Sequence, residues 1–166
     1  MKRSLATDIA LGAVAGAAAT WLMDLTTTAL YEAQPKPVKD RENEARGDKT
    51  AYEIAAERGA RLFDRTLDKN QRKQAGTAIH WATGIAAGAA YGALRHALPM
   101  KIGSGLAFGT AFWLAVDEGA NTLLGLTASP TKFPWQTHAR GFAGHTVLGT
   151  AVESVFDVVD LVSARA

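Results

Sequence analysis

Four apolar segments, each about as long as a bilayer-spanning helix, most constrain what this chain can fold into. They run over residues 6–31, 75–98, 102–126 and 141–162. A helix needs about 20 predominantly apolar residues to cross the hydrocarbon core of a membrane. Several segments also contain acids, at Asp24, at Asp117 and Glu118, and at Glu153 and Asp157. The pattern predicts an all-α fold, an integral membrane four-helix bundle that forms a single domain over residues 1–166.

Small residues recur at four-residue spacing inside three of these segments. The glycines are Gly12 and Gly16, then Gly84, Gly88 and Gly92, then Gly105 and Gly109. A glycine inside a soluble helix costs about 1 kcal/mol relative to alanine, whereas helices in lipid use small residues for close approach. We therefore expect these glycines to be helix-packing positions in a membrane bundle. A soluble Ala/Gly-rich bundle is the alternative.

A charged insert, residues 32–74, separates the first two segments. It holds 11 of the 18 Lys and Arg residues, although the whole chain has a net charge of only +2. Its prolines predict an extended turn over "QPKPVKD", and Thr50 with Glu53 predicts a capping box that opens a helix over about 50–69. Tyr52, Ala56 and Phe63 fall on one face of that amphipathic helix. We expect it to lie on the membrane or cap the bundle, where it could bind a protein or anionic lipid, or to pack as a solvated helix on its own bundle.

Titratable residues in the apolar segments fall on restricted helix faces. An ionised group at the bilayer centre costs roughly 2.5–3.5 kcal/mol, so such groups turn inward and pair. At about 100° per residue, Asp117 and Glu118 diverge, and at most one of them is expected to face a given point. The pattern predicts an inward polar seam made of His80, Glu118, His145, Glu153, Asp24, Asp117 and Asp157. For Asp157, a solvated helix end is the favoured interpretation.

Other features set the expected surroundings. Trp81, Trp113 and Trp135 are expected to be anchors at the membrane interface. Basic residues are distributed so that the orientation of the termini is not determined by the sequence. The weak net charge and the lack of a basic stripe argue against a nucleic-acid partner, and the absence of cysteine excludes thiol chemistry. No GxSxG, P-loop or GxGxxG motif occurs in a suitable context, so no enzyme activity and no cofactor are expected.

Three stretches carry a resemblance to a known family. They are "HWATGIAAGAAYG" (80–92), "GLAFGTAFWLAVDEGANTLLGLTASPTKFPW" (105–135) and "GHTVLGTAVE" (144–153). In order and spacing, roughly over residues 78–160, the chain resembles the YagU-like family of bacterial inner-membrane proteins. The resemblance implies a multi-pass inner-membrane protein of unassigned biochemistry. It carries over polar positions at His80, Glu118, His145 and Glu153, and packing or interface positions at Trp81, Trp113, Gly125 and Trp135.

The polar seam leaves three functional hypotheses open. The first is translocation of protons or a cation, with Glu153 and Glu118 as titrating carboxylates and with His145 and His80 as their partners. A homo-oligomer formed through the glycine stripes would then complete the path. The second is a non-catalytic membrane scaffold. The third and least favoured is a haem or metal site on the two histidines, because the chain has no Glu-x-x-His pair of the di-iron type, so no resident metal is expected.

Overall fold

The fold is all-helical in the computed structural model, which describes residues 3–165, and no strand occurs among those residues. The α-helices are α1 (Leu5–Glu32), α2 (Lys36–Arg46), α3 (Ala51–Arg61), α4 (Lys69–Ala97), α5 (Ser104–Trp113), α6 (Asn121–Leu123) and α7 (Trp135–Ser163). A π-helical segment, Leu114–Ala120, joins α5 to α6, and a short 3₁₀ turn, Pro130–Lys132, precedes α7. The predicted all-α class is confirmed.

The insert contains two helices where the sequence predicted a turn and one longer helix. α2 begins at Lys36, with Pro37 in its first turn, where the missing N–H costs no hydrogen bond and the fixed φ suits a helix. The predicted extended turn over the prolines is therefore wrong beyond Pro35. The helix predicted over 50–69 ends at Arg61. The next helix, α4, begins at Lys69, because the side chain of Asp68 accepts hydrogen bonds from two backbone N–H groups in its first turn.

Glycines bring α1 and α4 into backbone contact. A Cβ added at Gly88 would lie 2.6 Å from the Cα of Gly16, and one added at Gly16 would lie 2.6 Å from the carbonyl oxygen of Gly84. Gly12 and Gly92 meet the opposite backbone as closely. Only hydrogen fits at these positions, so the four-residue rows of both helices interlock.

A second glycine contact joins α5 to α7. A Cβ at Gly105 would lie 2.7 Å from the Cβ of Glu153, and Gly109 meets the backbone of His145. Gly149, on α7, completes the contact, since its added Cβ would lie 2.8 Å from the backbone nitrogen of Gly109. The α1–α4 pair of helices meets the α5–α7 pair where α1 packs on α7, with Gly144 against Thr27.

The core between these pairs is small. Tyr91, Leu148, Val152 and Phe156 are fully buried, and the residues around them include Ala15, Ala19 and Ala87. Large apolar side chains instead occupy the outer surface of α1, α4, α5 and α7. Val14 is 71% exposed and Trp21 is 55% exposed. This distribution is the reverse of that expected for a helical bundle in water.

Hydropathy identifies fewer membrane spans than the sequence pattern predicted. Within residues 3–165, α1 is the one helix that is both long and apolar enough to cross a bilayer, with a mean hydropathy of 1.5 over its best window. α4 and α7 are longer, but their charged ends and their many glycines and polar side chains lower their mean hydropathy. In the third segment, α5 ends at Trp113, where the π-helical segment begins. By this measure the structure supports one possible spanning helix rather than four.

The insert packs against one end of the long helices. α3 runs antiparallel to the start of α4, with Gly76 against Glu53 and with Arg72 bonded to Glu57 at 3.2 Å. Arg58 donates hydrogen bonds to the carbonyl oxygens of Leu124 and Gly125, which fixes α3 to the turn after α6. Phe63, which was expected on the packed face, lies in the turn beyond α3 and is 77% exposed. Its predicted placement is wrong because α3 ends before it.

Candidate functional site

Ionised and imidazole side chains lie in two layers at opposite ends of the long helices. At the insert end, Nε2 of His80 lies 2.8 Å from Oδ1 of Asp24. At the other end, Nδ1 of His96 lies 2.9 Å from Oδ2 of Asp8. Each pair joins α1 to α4, and the two pairs are sixteen residues apart on both helices, or about 24 Å at the α-helical rise. Glycines, Thr20 and alanines fill the interval.

The π-helical segment supplies two acids to the layer at the insert end. Asp117 and Glu118, neighbours in sequence, both line one cavity of about 430 Å³. A π-helix has a wider turn than an α-helix and is frequent at functional sites. In that wall Asp117 lies beside His145 and Glu118 beside His138, so the expectation that at most one of the two acids faces a given point stays a prediction.

Glu118 and His138 share a proton. Nε2 of His138 lies 3.0 Å from the carbonyl oxygen of Pro130, which can only accept, so this nitrogen carries hydrogen. Nδ1 of His138 lies 2.6 Å from Oε1 of Glu118. A proton must also lie in this second contact, on the imidazole or on the carboxyl group. His138 was missed as a site residue because it lies at the start of α7, outside the predicted fourth segment.

Asp117 has no hydrogen-bond donor among the described residues. The nearest imidazole nitrogen, Nδ1 of His145, is 3.7 Å from Oδ2 and donates its hydrogen to the carbonyl oxygen of Gly141 at 2.9 Å. The carboxylate therefore lines the cavity with His145 at ion-pair distance but with no hydrogen-bond donor in residues 3–165. It is the group in this wall most available to a ligand.

Aromatic side chains form part of the same wall. Tyr52, Trp113 and Phe133 line the cavity. Each ring has an aromatic or imidazole neighbour, with centroid separations of 5.2 Å from Tyr52 to His80 and 5.5 Å from Trp113 to Phe142. Burial raises the pKa of Tyr52, and the nearby carboxylates of Asp117 and Asp24 raise it further, so the phenol stays protonated.

Buried Glu42 binds the two guanidinium groups of the cavity wall. Its carboxylate is inaccessible to solvent and accepts two hydrogen bonds from Arg140, at 2.6 and 2.8 Å, one from Thr137 at 2.9 Å and one from Arg46. Burial opposes the charge, but Arg140, helped by Thr137 and Arg46, outweighs it and lowers the pKa of Glu42. No sequence pattern pointed to Glu42, because an acid in a charged insert is usually solvated.

The opposite end carries a separate ionic cluster. Arg3 bonds to Asp8 and Asp160, both at 2.6 Å, and Arg95 bonds to Asp160 at 2.6 Å and to Asp157 at 3.2 Å. Both guanidinium groups lie over the ring of Phe156, 5.7 and 5.2 Å from its centroid. Of the predicted seam residues, Asp157 belongs to this cluster. His96 was missed, although it continues the four-residue row that starts at His80.

The predicted seam is thus divided. Asp24, His80, Asp117, Glu118 and His145 lie at the insert end. Glu153 lies eight residues beyond His145 on α7 and is 8% exposed. The buried side chains of Leu148 and Val152 lie on α7 between them, and Tyr91 packs there from α4. No continuous polar path joins the two ends among the described residues.

The predicted tryptophan anchors occupy different environments. Trp113 lines the cavity. Trp81 borders an adjacent hollow that includes Asp24 and His80. Trp135, the first residue of α7, is 71% exposed.

Metal ligation has little support in this arrangement. No group of three or more histidine, cysteine or acidic residues is placed to hold a metal ion anywhere in residues 3–165. His80 contacts Asp24 through Nε2 and His145 donates to the Gly141 carbonyl through Nδ1, so each keeps one further ring nitrogen, but neither belongs to a group of three candidate ligands in the described residues.

Comparison with known proteins identifies nothing related, because no family model, no curated protein and no solved structure matches the chain.

Proposed function

We propose that this chain is a multi-pass protein of the bacterial inner membrane, YagU-like and not an enzyme, that binds a cation in the insert-end cavity for translocation. The observation that carries the proposal is the cavity wall itself. Asp117 faces the cavity without a donor, and Glu118 beside it shares a proton with His138. One carboxylate is available for a cation, and the other can exchange a proton.

The outer surface supports placement in a membrane. Exposed hydroxyl groups bond back to their own helices, as Thr26 does to the Leu22 carbonyl at 2.9 Å and Thr150 does to the Thr146 carbonyl at 2.7 Å. Such bonds leave no polar group unsatisfied in hydrocarbon. Between the two ionic layers, α1 carries no charged side chain. Their separation of about 24 Å approaches the roughly 30 Å thickness of a hydrocarbon core.

The charge around the cavity favours a cation. Among the side chains that line the cavity or hydrogen-bond to its charged and imidazole groups, the acids are Asp24, Glu42, Asp117 and Glu118, and the guanidinium groups are Arg46 and Arg140. The Glu118–His138 pair contains a proton and so has no net charge, and the remaining three acids exceed the two guanidinium groups by one. A cleft with this excess raises the local concentration of cations.

Passage across the protein requires an opening in the apolar layer, which consists of the buried side chains of Tyr91, Leu148 and Val152 between the two ends. His145, Phe112 and Leu148 line a small separate hollow beside the cavity, and the two share His80 as a lining residue. Glu153 lies beyond that layer, near the opposite ionic cluster. Translocation therefore needs this layer to open, and a protein in which it never opens would be the scaffold of the second hypothesis.

A homo-oligomer, if it forms, would use surfaces other than the glycine stripes. All seven glycines predicted for helix packing contact a helix of the same chain. The exposed leucine, isoleucine and valine side chains of the long helices are the surfaces that remain for lipid or for a second copy.

Flux measurements test the proposal. Protein reconstituted in liposomes should take up a cation, or exchange it for protons, and Asp117→Asn should lower the initial rate at least tenfold. Asp157→Asn is the matched control, because Asp157 is half exposed at the opposite end and lies outside the cavity wall. Equal rates in wild type and Asp117→Asn, or no flux above empty liposomes, would overturn translocation.

A further inference from the structure

We propose that the cation bound in the insert-end cavity is a small organic ammonium ion rather than a metal ion. This inference rests on the proposed function and specifies its substrate class. It depends on three features of the cavity: its size, its aromatic wall and the placement of its carboxylates.

The cavity is much larger than a dehydrated inorganic ion requires. Its volume of about 430 Å³ lies in the range of small-molecule sites, which is roughly 300–1,000 Å³. Apolar side chains such as Met23 and Ala128 line it together with the polar ones. Such a wall suits an ion that carries its own methyl or methylene groups.

The aromatic residues supply a second form of cation recognition. Aromatic faces attract ammonium ions through the ring quadrupole, and cages of two or three rings are a recurrent way to bind alkylated amines. Tyr52, Trp113 and Phe133 come from α3, from the end of α5 and from the turn before α7. Three elements that are remote in sequence therefore converge on one cavity with a ring each.

The arrangement of the acids suits one organic ammonium ion, whose charge is spread over several atoms, better than it suits a coordinated metal ion. Asp117 offers a carboxylate without a donor, while Glu118 is engaged by His138. The guanidinium groups of Arg46 and Arg140 are held by Glu42 and do not compete for Asp117. Hard divalent cations need six or more oxygen ligands or several retained waters. No group of three or more histidine, cysteine or acidic side chains is placed to hold such an ion among the described residues.

Binding by the purified full-length protein in detergent tests the inference. Isothermal titration with tetramethylammonium chloride should give saturable binding, whereas NaCl and MgCl₂ at equal ionic strength should not. Asp117→Asn and Trp113→Leu should each weaken tetramethylammonium binding at least tenfold. Trp113→Phe keeps a ring and should retain most of the affinity. Trp135→Leu, an exposed tryptophan outside the cavity, should bind like wild type.

The outcomes separate the inference from the function on which it rests. Saturable Na⁺ or Mg²⁺ binding without tetramethylammonium binding would overturn the organic cation and leave cation translocation in place. Tetramethylammonium binding that is unchanged in Asp117→Asn and Trp113→Leu would overturn the cavity as the site. If no cation binds and Asp117→Asn does not alter flux, both proposals fail. If Trp113→Leu does not fold, Asp117→Asn and Trp113→Phe decide the matter.

Discussion

Glu42 is the most consequential single residue of the insert. Its buried carboxylate binds Arg140, Arg46 and Thr137, and so connects α2 to the start of α7. Removing one partner of a buried ion pair leaves an uncompensated charge and typically costs about 3–5 kcal/mol. We expect Glu42→Gln to lower the free energy of unfolding by about that amount, as measured by denaturant titration in detergent. Asp40→Asn, which alters an exposed pair with Lys36, should have little effect.

The same residue predicts a pH dependence with a definite sign. The pKa of Glu42 in the folded protein is lower than its ordinary value of 4.5. The ionised carboxylate therefore stabilises the fold above pH 4.5, and this contribution is lost as the pH falls through the folded pKa. The acid-induced loss of stability should shrink in Glu42→Gln. An identical acid limb in both proteins would contradict the assignment.

At the residue scale, sequence reasoning found the polar groups inside the apolar segments and missed their partners. Asp24 and His80 were predictable because a charge within an apolar run must turn inward. Glu42 was not, because it lies in a polar stretch where a solvated position is the ordinary expectation. Its burial depends on the way the insert folds back, which no local pattern encodes.

Among the elements, the α1–α4 pair depends most strictly on having glycine, which has no side chain, at its contact positions. We expect Gly88→Ala to cost about 1–3 kcal/mol, because the new Cβ would meet backbone atoms of Gly12 and Gly16 that cannot rotate away. Thermal unfolding in detergent measures the loss. Gly59→Ala is the control, since nothing lies within 4 Å of its added Cβ. Alanine there should be neutral or stabilising by up to about 1 kcal/mol. Equal midpoints for the two variants would show that the close contact does not hold α1 to α4.

The helices were predictable to different degrees. The apolar runs gave α1 and most of α4 and α7, and the Thr50–Glu53 capping box gave the start of α3 correctly. α2 was missed because Pro37 was interpreted as a breaker, although in the first turn it favours a helix. The π-helical segment was missed because the rule of 100° per residue assumes α-helical geometry throughout.

For the whole molecule, the apolar outer surface gives a test that separates a membrane bundle from a soluble one. Val14, near the middle of α1, is 71% exposed. In a bilayer, Val14→Lys should cost about 2.5–3.5 kcal/mol and should reduce the amount of protein recovered in carbonate-washed membranes. Leu62→Lys, at an 83% exposed position in the insert, should leave recovery unchanged. Val14→Lys recovered in full, or soluble without detergent, would contradict membrane placement.

The overall architecture was predictable only in its class. An all-helical chain follows from the length and periodicity of the segments. The division of the polar seam into two layers does not, because it depends on which turn of α7 lies beside which turn of α4. The docking of the insert does not either, since Arg58 and Glu42 find their partners across 66 and 98 residues of chain.

The two Asp–His pairs at the ends of α1 and α4 limit how this molecule can move. If either helix slid by one turn along the other, glycine would still meet glycine at some positions, but Asp8 would leave His96 and Asp24 would leave His80 together. A piston-like displacement of α1 against α4 is therefore opposed at both ends at once. A change in the arrangement of the helices would therefore have to occur at the contact of α1 with α7, where Gly144 packs on Thr27.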